Sequence, residues 1–158
     1  MSIRAEVVVA SNRAAAGVYE DATGPLLVDF LRGLGFVVAD PVVVPDGDPV
    51  GVAITAAVEG GARVVLTTGG TGLTPTDLTP EATRPLLERE VPGLAEAIRA
   101  HGVAKGVPTA VLSRGLAGIV GAALVVNLPG SRGGVKDAMQ VLEPVLVHAV
   151  EQIVGSDH

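Results

Sequence analysis

Residues 63–77 read Arg63-Val64-Val65-Leu66-Thr67-Thr68-Gly69-Gly70-Thr71-Gly72-Leu73-Thr74-Pro75-Thr76-Asp77. A β-branched, apolar run passes without interruption into a glycine-rich turn. The spacing predicts a strand over residues 63–67, with the turn at its carboxyl end. That end is where open α/β sheets bind ligands. Glycines there let the backbone come close to an anion and present N–H donors to it. No Gly-Lys-Ser/Thr follows, so the turn is not a Walker loop. Gly70-x-Gly72 meets Pro75 where a dinucleotide fingerprint needs a third glycine. By itself the turn is equally compatible with a plain tight connection.

Strand and helix signals alternate on both sides of this stretch, predicting an α/β layered domain with a mostly parallel sheet. Residues 3–10 end in Val7-Val8-Val9-Ala10, a run suited to burial on both faces, and residues 11–21 are expected to be a loop. Thr23-Gly24-Pro25 opens a helix that Gly35 stops. A second strand is expected over residues 36–44, with Pro41 marking a bend or an edge. Asp48, as N-cap, and Pro49 start the next helix, which Gly60-Gly61 ends. Residues 80–105 are expected to be helical in two pieces broken at Pro92-Gly93, followed by strands at 109–112 and 124–128. The clearest helix is expected over residues 135–154, with Pro144 as a kink or break.

The chain has 158 residues, 48% hydrophobic, with no linker, repeat or low-complexity segment, and is expected to form one domain over residues 1–158. A mean hydropathy of +0.51 excludes intrinsic disorder. No apolar stretch reaches the roughly 18 residues of a membrane span, and no secretory signal is visible, so a cytoplasmic protein is expected. The absence of Cys excludes disulfides, thiolate metal sites and a Cys nucleophile. Three scattered His residues argue against zinc: His101 and His148 are expected on helix surfaces, and His158 is terminal. A net charge of −6, spread-out Lys and Arg, and 2% aromatics argue against a nucleic-acid partner.

Chemistry-bearing residues gather after the predicted strands. Ser11-Asn12-Arg13 follows the first, Asp46 the second, Gly69 to Asp77 the third, Ser113-Arg114 the fourth and Asn127-Leu128-Pro129-Gly130-Ser131 the fifth. Asp46 and Asp77, on neighbouring strand ends, would suit Mg²⁺, which takes oxygen ligands alongside substrate phosphates. Each acid alone could equally cap a helix. Arg132 and Lys136 near a helix start, and the Ser113-Arg114 pair, suit anionic oxygens. One cleft built from several strand ends is a stronger signal than any of these motifs singly.

The run from Thr68 to Thr83, Gly-Gly-Thr-Gly-Leu-Thr-Pro-Thr-Asp-Leu-Thr-Pro-Glu-Ala after its first threonine, resembles the signature loop of the molybdopterin-binding MoaB/Mog family. Supporting matches lie at Ser11-Asn12-Arg13 with Gly17 and Asp21, Val44-Pro45-Asp46, Glu90-Val91-Pro92-Gly93, Leu112-Ser113-Arg114 and Asn127-Leu128-Pro129-Gly130, covering almost the whole chain. The resemblance implies a three-layer α/β/α domain, forming a trimer or hexamer, that uses Mg²⁺ and ATP to adenylylate molybdopterin and release pyrophosphate. It implies Asp46 and Asp77 as the catalytic, metal-holding aspartates. Ser11, Arg13, Gly69, Gly70, Thr71, Gly72, Ser113, Asn127, Pro129, Gly130 and Ser131 are then expected to contact nucleotide or pterin. Arg114 and Arg132 are further candidates for substrate anions. A molybdenum-insertion protein is a possible downstream partner. The sequence departs from the family pattern at Asn12, Gly47 and Thr76, where acid, acid and Arg respectively are common. A non-catalytic molybdopterin-binding or assembly protein is the alternative expectation.

Overall fold

A computed structural model describes residues 2–17 and 21–155. His158 therefore lies outside the described residues. The core is a mixed, mostly parallel sheet. Its strands are β1 (Arg4–Ala10), β2 (Val37–Val38), β3 (Val42–Val44), β4 (Val64–Thr68), β5 (Arg89–Glu90), β6 (Ala117–Val120) and β7 (Ala123–Leu128). The order is β2-β1-β4-β7-β6-β5, with β3 pairing β1 beyond β2. β1, β2, β3, β4 and β7 run parallel, whereas β6 is antiparallel to both of its neighbours, β7 and β5. The helices are α1 (Asn12–Ala15), α2 (Gly24–Gly33), α3 (Asp48–Glu59), α4 (Thr79–Thr83), α5 (Pro92–Ala104), α6 (Arg132–Leu142) and α7 (Leu146–Ile153).

The expected three layers follow from alternation along the central strands. Val7 and Val9 of β1, Leu66 of β4 and Val126 of β7 pack with Leu27, Leu31, Ile98, Leu142 and Leu146 of the helices on one face. Val8, Val65 and Val125 point the other way, to Val50, Ile54 and Ala57 of α3. Both sheet faces are thus covered, which is why these strands read as unbroken apolar runs. No helix among the described residues is long and apolar enough to cross a membrane.

Several local expectations need correction. The span 36–44 is not one strand: β2 and β3 pair with opposite ends of β1, and Pro41, which lacks an N–H for the ladder, lies in the gap. Residues 109–112 are not a strand but part of a 3₁₀ turn, Pro108–Leu112. Pro108 presets a turn-compatible φ, and the turn packs against α5 so closely that a Cβ at Gly102 would lie 2.6 Å from the Ala110 Cβ. The sheet position is filled by β6, joined to β7 by a two-residue hairpin at Gly121-Ala122 with φ +58° at Gly121. Pro92 starts α5 rather than breaking a helix, and α4, a short 3₁₀ turn and the strand β5 occupy the span before it. Residues 11–21 contain the single turn α1, capped by Ser11 Oγ from the Ala14 N–H at 3.2 Å. Asp48 is the first helical residue of α3 and Gly47, with φ +94°, is its N-cap. Thr23 precedes α2, but Asp21 Oδ1 supplies the cap, accepting from the Thr23 and Gly24 N–H groups. The last helix starts earlier than expected, at Arg132, and breaks around Pro144 into α6 and α7.

Candidate functional site

Because β1, β3, β4 and β7 are parallel, their carboxyl ends deliver Ser11, Asp46, Gly69 and Pro129 to one edge of the sheet. Two cavities open there. The larger, of about 580 Å³, is walled by Thr71, Leu73, Ile98, Leu112, Ser113 and Ser131 among others. The smaller, of about 400 Å³, is walled by Ser11, Asn12, Arg13, Asp46, Gly69 and Arg132 among others. They share three residues: Gly70, Asp77 and Gly130.

The glycines of this wall are dictated by backbone geometry. Gly69 and Gly70 adopt φ of +94° and +71°. A Cβ on Gly69 would strike the Ala10 carbonyl oxygen, and one on Gly70 would strike Thr79 Oγ1 and lie 3.1 Å from Asp46 Oδ1. A Cβ on Gly130 would sit 3.1 Å from the Gly69 Cα, so the two loops touch backbone to backbone.

Beneath the wall lies a fully satisfied network of buried Thr and Asn side chains. Thr68 Oγ1 donates to the Pro129 carbonyl at 2.7 Å, and Thr79 Oγ1 donates to the Gly69 carbonyl at 2.9 Å. Asn127 is 4% exposed. Its Nδ2 donates to Thr67 Oγ1 and Thr83 Oγ1, and its Oδ1 accepts from the Leu116 N–H. Asn127 lines neither cavity; it braces the floor under the loops.

Arg114 also stands outside both cavities. Its Nε donates to the Gly72 carbonyl at 2.9 Å, Nη2 to the Asp77 carbonyl at 2.6 Å, and Nη1 to Glu81 Oε2 at 2.7 Å. Its own N–H donates to the Thr71 carbonyl. One guanidinium thus ties both ends of the turn from Gly72 to Asp77 to the start of α4. The Glu81 carboxyl is held below its ordinary range, chiefly by this hydrogen bond. Sequence reading passed over Glu81 and Arg99 because their partners are distant in the chain. Arg99 Nη1 donates to the Gly115 carbonyl at 2.9 Å and holds the Ser113 loop.

The two aspartates differ in setting. Asp77 Oδ2 accepts the Thr74 N–H at 3.0 Å. Asp46 is raised above the ordinary carboxylate range, first by burial and also by the negative charge of Asp77, while the Asn12 backbone N–H opposes this. Among the described residues no group of three or more His, Cys, Asp or Glu could hold a metal. Two carboxylates facing an open polar cavity fit Mg²⁺, which is commonly held by one or two carboxylates with phosphate and water completing its shell. Of the departures, Asn12 and Thr76 line the smaller cavity. Asn12 Oδ1 accepts the Asp46 N–H, a task an Asp side chain could also perform. Gly47 is fixed by its positive φ. His101 is half-buried and bonds Gln140 at 2.6 Å, so it links α5 to α6 rather than facing solvent freely.

Residues 6–148 match the family described as a probable molybdopterin binding domain. The chain belongs to the MoaB/Mog family of molybdopterin-binding domains. It is 50% identical to the molybdopterin biosynthesis Mog protein from Mycobacterium ulcerans, with TM-score 0.91 over 96% of this chain and 99% of that one. It is 35% identical to the molybdopterin adenylyltransferase of Pyrococcus furiosus over 92% of this chain and 88% of the relative. It is 38% identical to a molybdenum cofactor biosynthesis bifunctional protein of Chlorobaculum tepidum, over 98% of this chain but 50% of the relative. The chain thus spans about half the length of that bifunctional protein. The matched residues include every wall residue named above, from Ser11 to Arg132.

Proposed function

We propose that this protein transfers AMP from ATP to the terminal phosphate of molybdopterin, releasing pyrophosphate, in molybdenum cofactor biosynthesis. The observation that carries the proposal is the common wall of Gly70, Asp77 and Gly130 between two cavities of different character. Such a transfer needs two polyanions brought to one point, and positioning supplies much of its rate. The larger, more apolar cavity suits a pterin ring. The smaller one, with Arg13 and Arg132 on its rim, suits nucleotide phosphates.

The nucleophile is a phosphate monoester, largely dianionic near neutral pH, so no general base is required. Gly69 spends its N–H on the Leu128 carbonyl at 3.1 Å. In this reading the next amides along the turn, at Gly70, Thr71 and Gly72, donate to phosphate oxygens. The N-terminus of α6 adds a further anion-favouring end beside Gly130. Asp46 and Asp77 would hold Mg²⁺, which when bound polarises phosphorus and neutralises charge on the phosphate oxygens. Arg114, Thr79 and Asn127 keep Asp77 and the glycine turn in place. Exposed apolar side chains such as Val52 and Val111 support a homo-oligomer, either trimer or hexamer.

The test is to incubate the protein with molybdopterin, ATP and Mg²⁺ and follow pyrophosphate and AMP-linked pterin by mass spectrometry. Equal amounts of both products are expected. Bound but unmodified pterin would replace this reading with that of a non-catalytic pterin-binding or assembly protein.

A further inference from the structure

The larger cavity contains a carboxylate that the transfer reaction does not use. Asp137, half-buried on α6, lines it and makes no hydrogen bond or ion pair with any described residue. Several other polar groups of the wall have partners within the protein. Arg99 donates to backbone carbonyls, Ser131 Oγ accepts the Gly134 N–H, and Asp77 Oδ2 accepts the Thr74 N–H. An ionised carboxylate can only accept, so its complement is a ligand with donors.

The helix beneath it adds a second observation. Gly133 lies one turn before Asp137, at the i, i+4 spacing that places both on one face, and it lines the same cavity. A Cβ at Gly133 would meet nothing within 4 Å, and its φ is not positive. Neither the backbone nor the neighbours demand glycine, which is unfavourable inside a helix. It leaves a flat floor that ends at a carboxylate.

We infer that Asp137 reads the edge of the pterin ring, accepting from its ring N3–H and its 2-amino group while the ring lies over Gly133. The inference rests on the pterin reading of this cavity. Two adjacent donors match the two oxygens of one carboxylate. The corresponding edge of adenine pairs one donor with one acceptor and does not match. Asp137 therefore decides which cavity takes the pterin and keeps the adenine out of it.

The test compares wild type and Asp137→Asn in binding three probes: molybdopterin in its oxidised, fluorescent form, the same compound with oxygen in place of the 2-amino group, and ATP. Asn offers one acceptor and one donor, which suits the 2-oxo edge. The variant is expected to lose about tenfold or more in affinity for the amino form. It should bind the 2-oxo form at least as well as wild type does, and ATP unchanged. Equal losses for both pterins, or no loss, would overturn the inference while leaving the transfer reading intact. Wild-type protein that binds ATP but neither pterin would overturn both. Asp137-dependent pterin selection without turnover would uphold the inference and remove only the transfer reading.

Discussion

Asn12 holds the turn that carries Asp46: its Oδ1 accepts the Asp46 N–H at 2.9 Å across 34 residues of chain. The amide oxygen does this without adding charge beside a carboxyl already raised by burial and by Asp77. Asn12→Asp keeps the acceptor and adds a negative charge, so it raises Asp46 further. Protonated Asp46 cannot serve a cation. The acid limb of the pH profile for pyrophosphate release should therefore move to higher pH in Asn12→Asp. Asn12→Ala, which loses the acceptor, should cost about 1 kcal/mol of stability.

The raised Asp46 also predicts a stability effect. A carboxyl raised by folding stabilises the protein at pH below its unfolded value, and this contribution is lost as pH rises through the folded value. At neutral pH the ionised Asp46 is therefore a cost. Asp46→Asn removes that cost, so in the presence of a chelator its Tm should exceed that of wild type at neutral pH. The advantage should vanish in acid. Turnover should be lost at every pH.

The Arg114 clamp is a fork on three residues, two backbone carbonyls and one carboxylate, and lysine cannot reproduce it. Arg114→Lys should loosen the turn from Gly72 to Asp77, lowering kcat by about tenfold or more and Tm by about 2–4 °C for each kcal/mol lost. Glu81→Gln should do less, because both backbone carbonyls remain to accept. The Glu81 carboxyl is lowered by Arg114. Its contribution is present above its unfolded value and fades only as pH falls through the lowered one. Each variant's own deficit should thus stay constant across the neutral range, the Arg114→Lys deficit being the larger, as measured by thermal unfolding.

Gly133 separates stability from binding. Gly133→Ala places a methyl where the protein has open space and improves helix propensity. Stability should rise by up to about 1 kcal/mol. Pterin affinity should fall, because the methyl stands on the floor of the larger cavity. Thermal unfolding and pterin fluorescence read the two effects separately.

How far the sequence carries can be judged from these residues. The strand and glycine turn from Val64 to Asp77 were legible because their signals are local: β-branched burial, then positive φ that only glycine adopts freely. Asp46 and Asp77 do not follow neighbouring strands as expected, because β1 lies between β3 and β4; the shared direction of the three strands is what brings both acids to the smaller cavity. Arg114 was legible as a site cation but not as a clamp, because its acceptors lie 33 to 42 residues away. Asn127 reads like a binding residue by type, yet its bonds to Thr67, Thr83 and Leu116 exist only once β4, α4 and the segment leading into β6 have assembled. Residues 109–112 have strand composition, but Pro108 and contact with α5 turn them into 3₁₀. The shared wall is a tertiary property and has no sequence signature of its own.

The central claim is that transfer occurs at the wall where Asp77 faces both cavities. The most direct measurement is pyrophosphate and AMP-linked pterin formed by wild type, Asp77→Ala and Asp77→Asn, with pterin binding followed in parallel. Asp77→Asn retains the acceptor for the Thr74 N–H, so it tests charge rather than loop integrity. Both variants are predicted to bind pterin like wild type and to lose product formation by about a hundredfold or more. Undiminished turnover in Asp77→Asn would contradict the account.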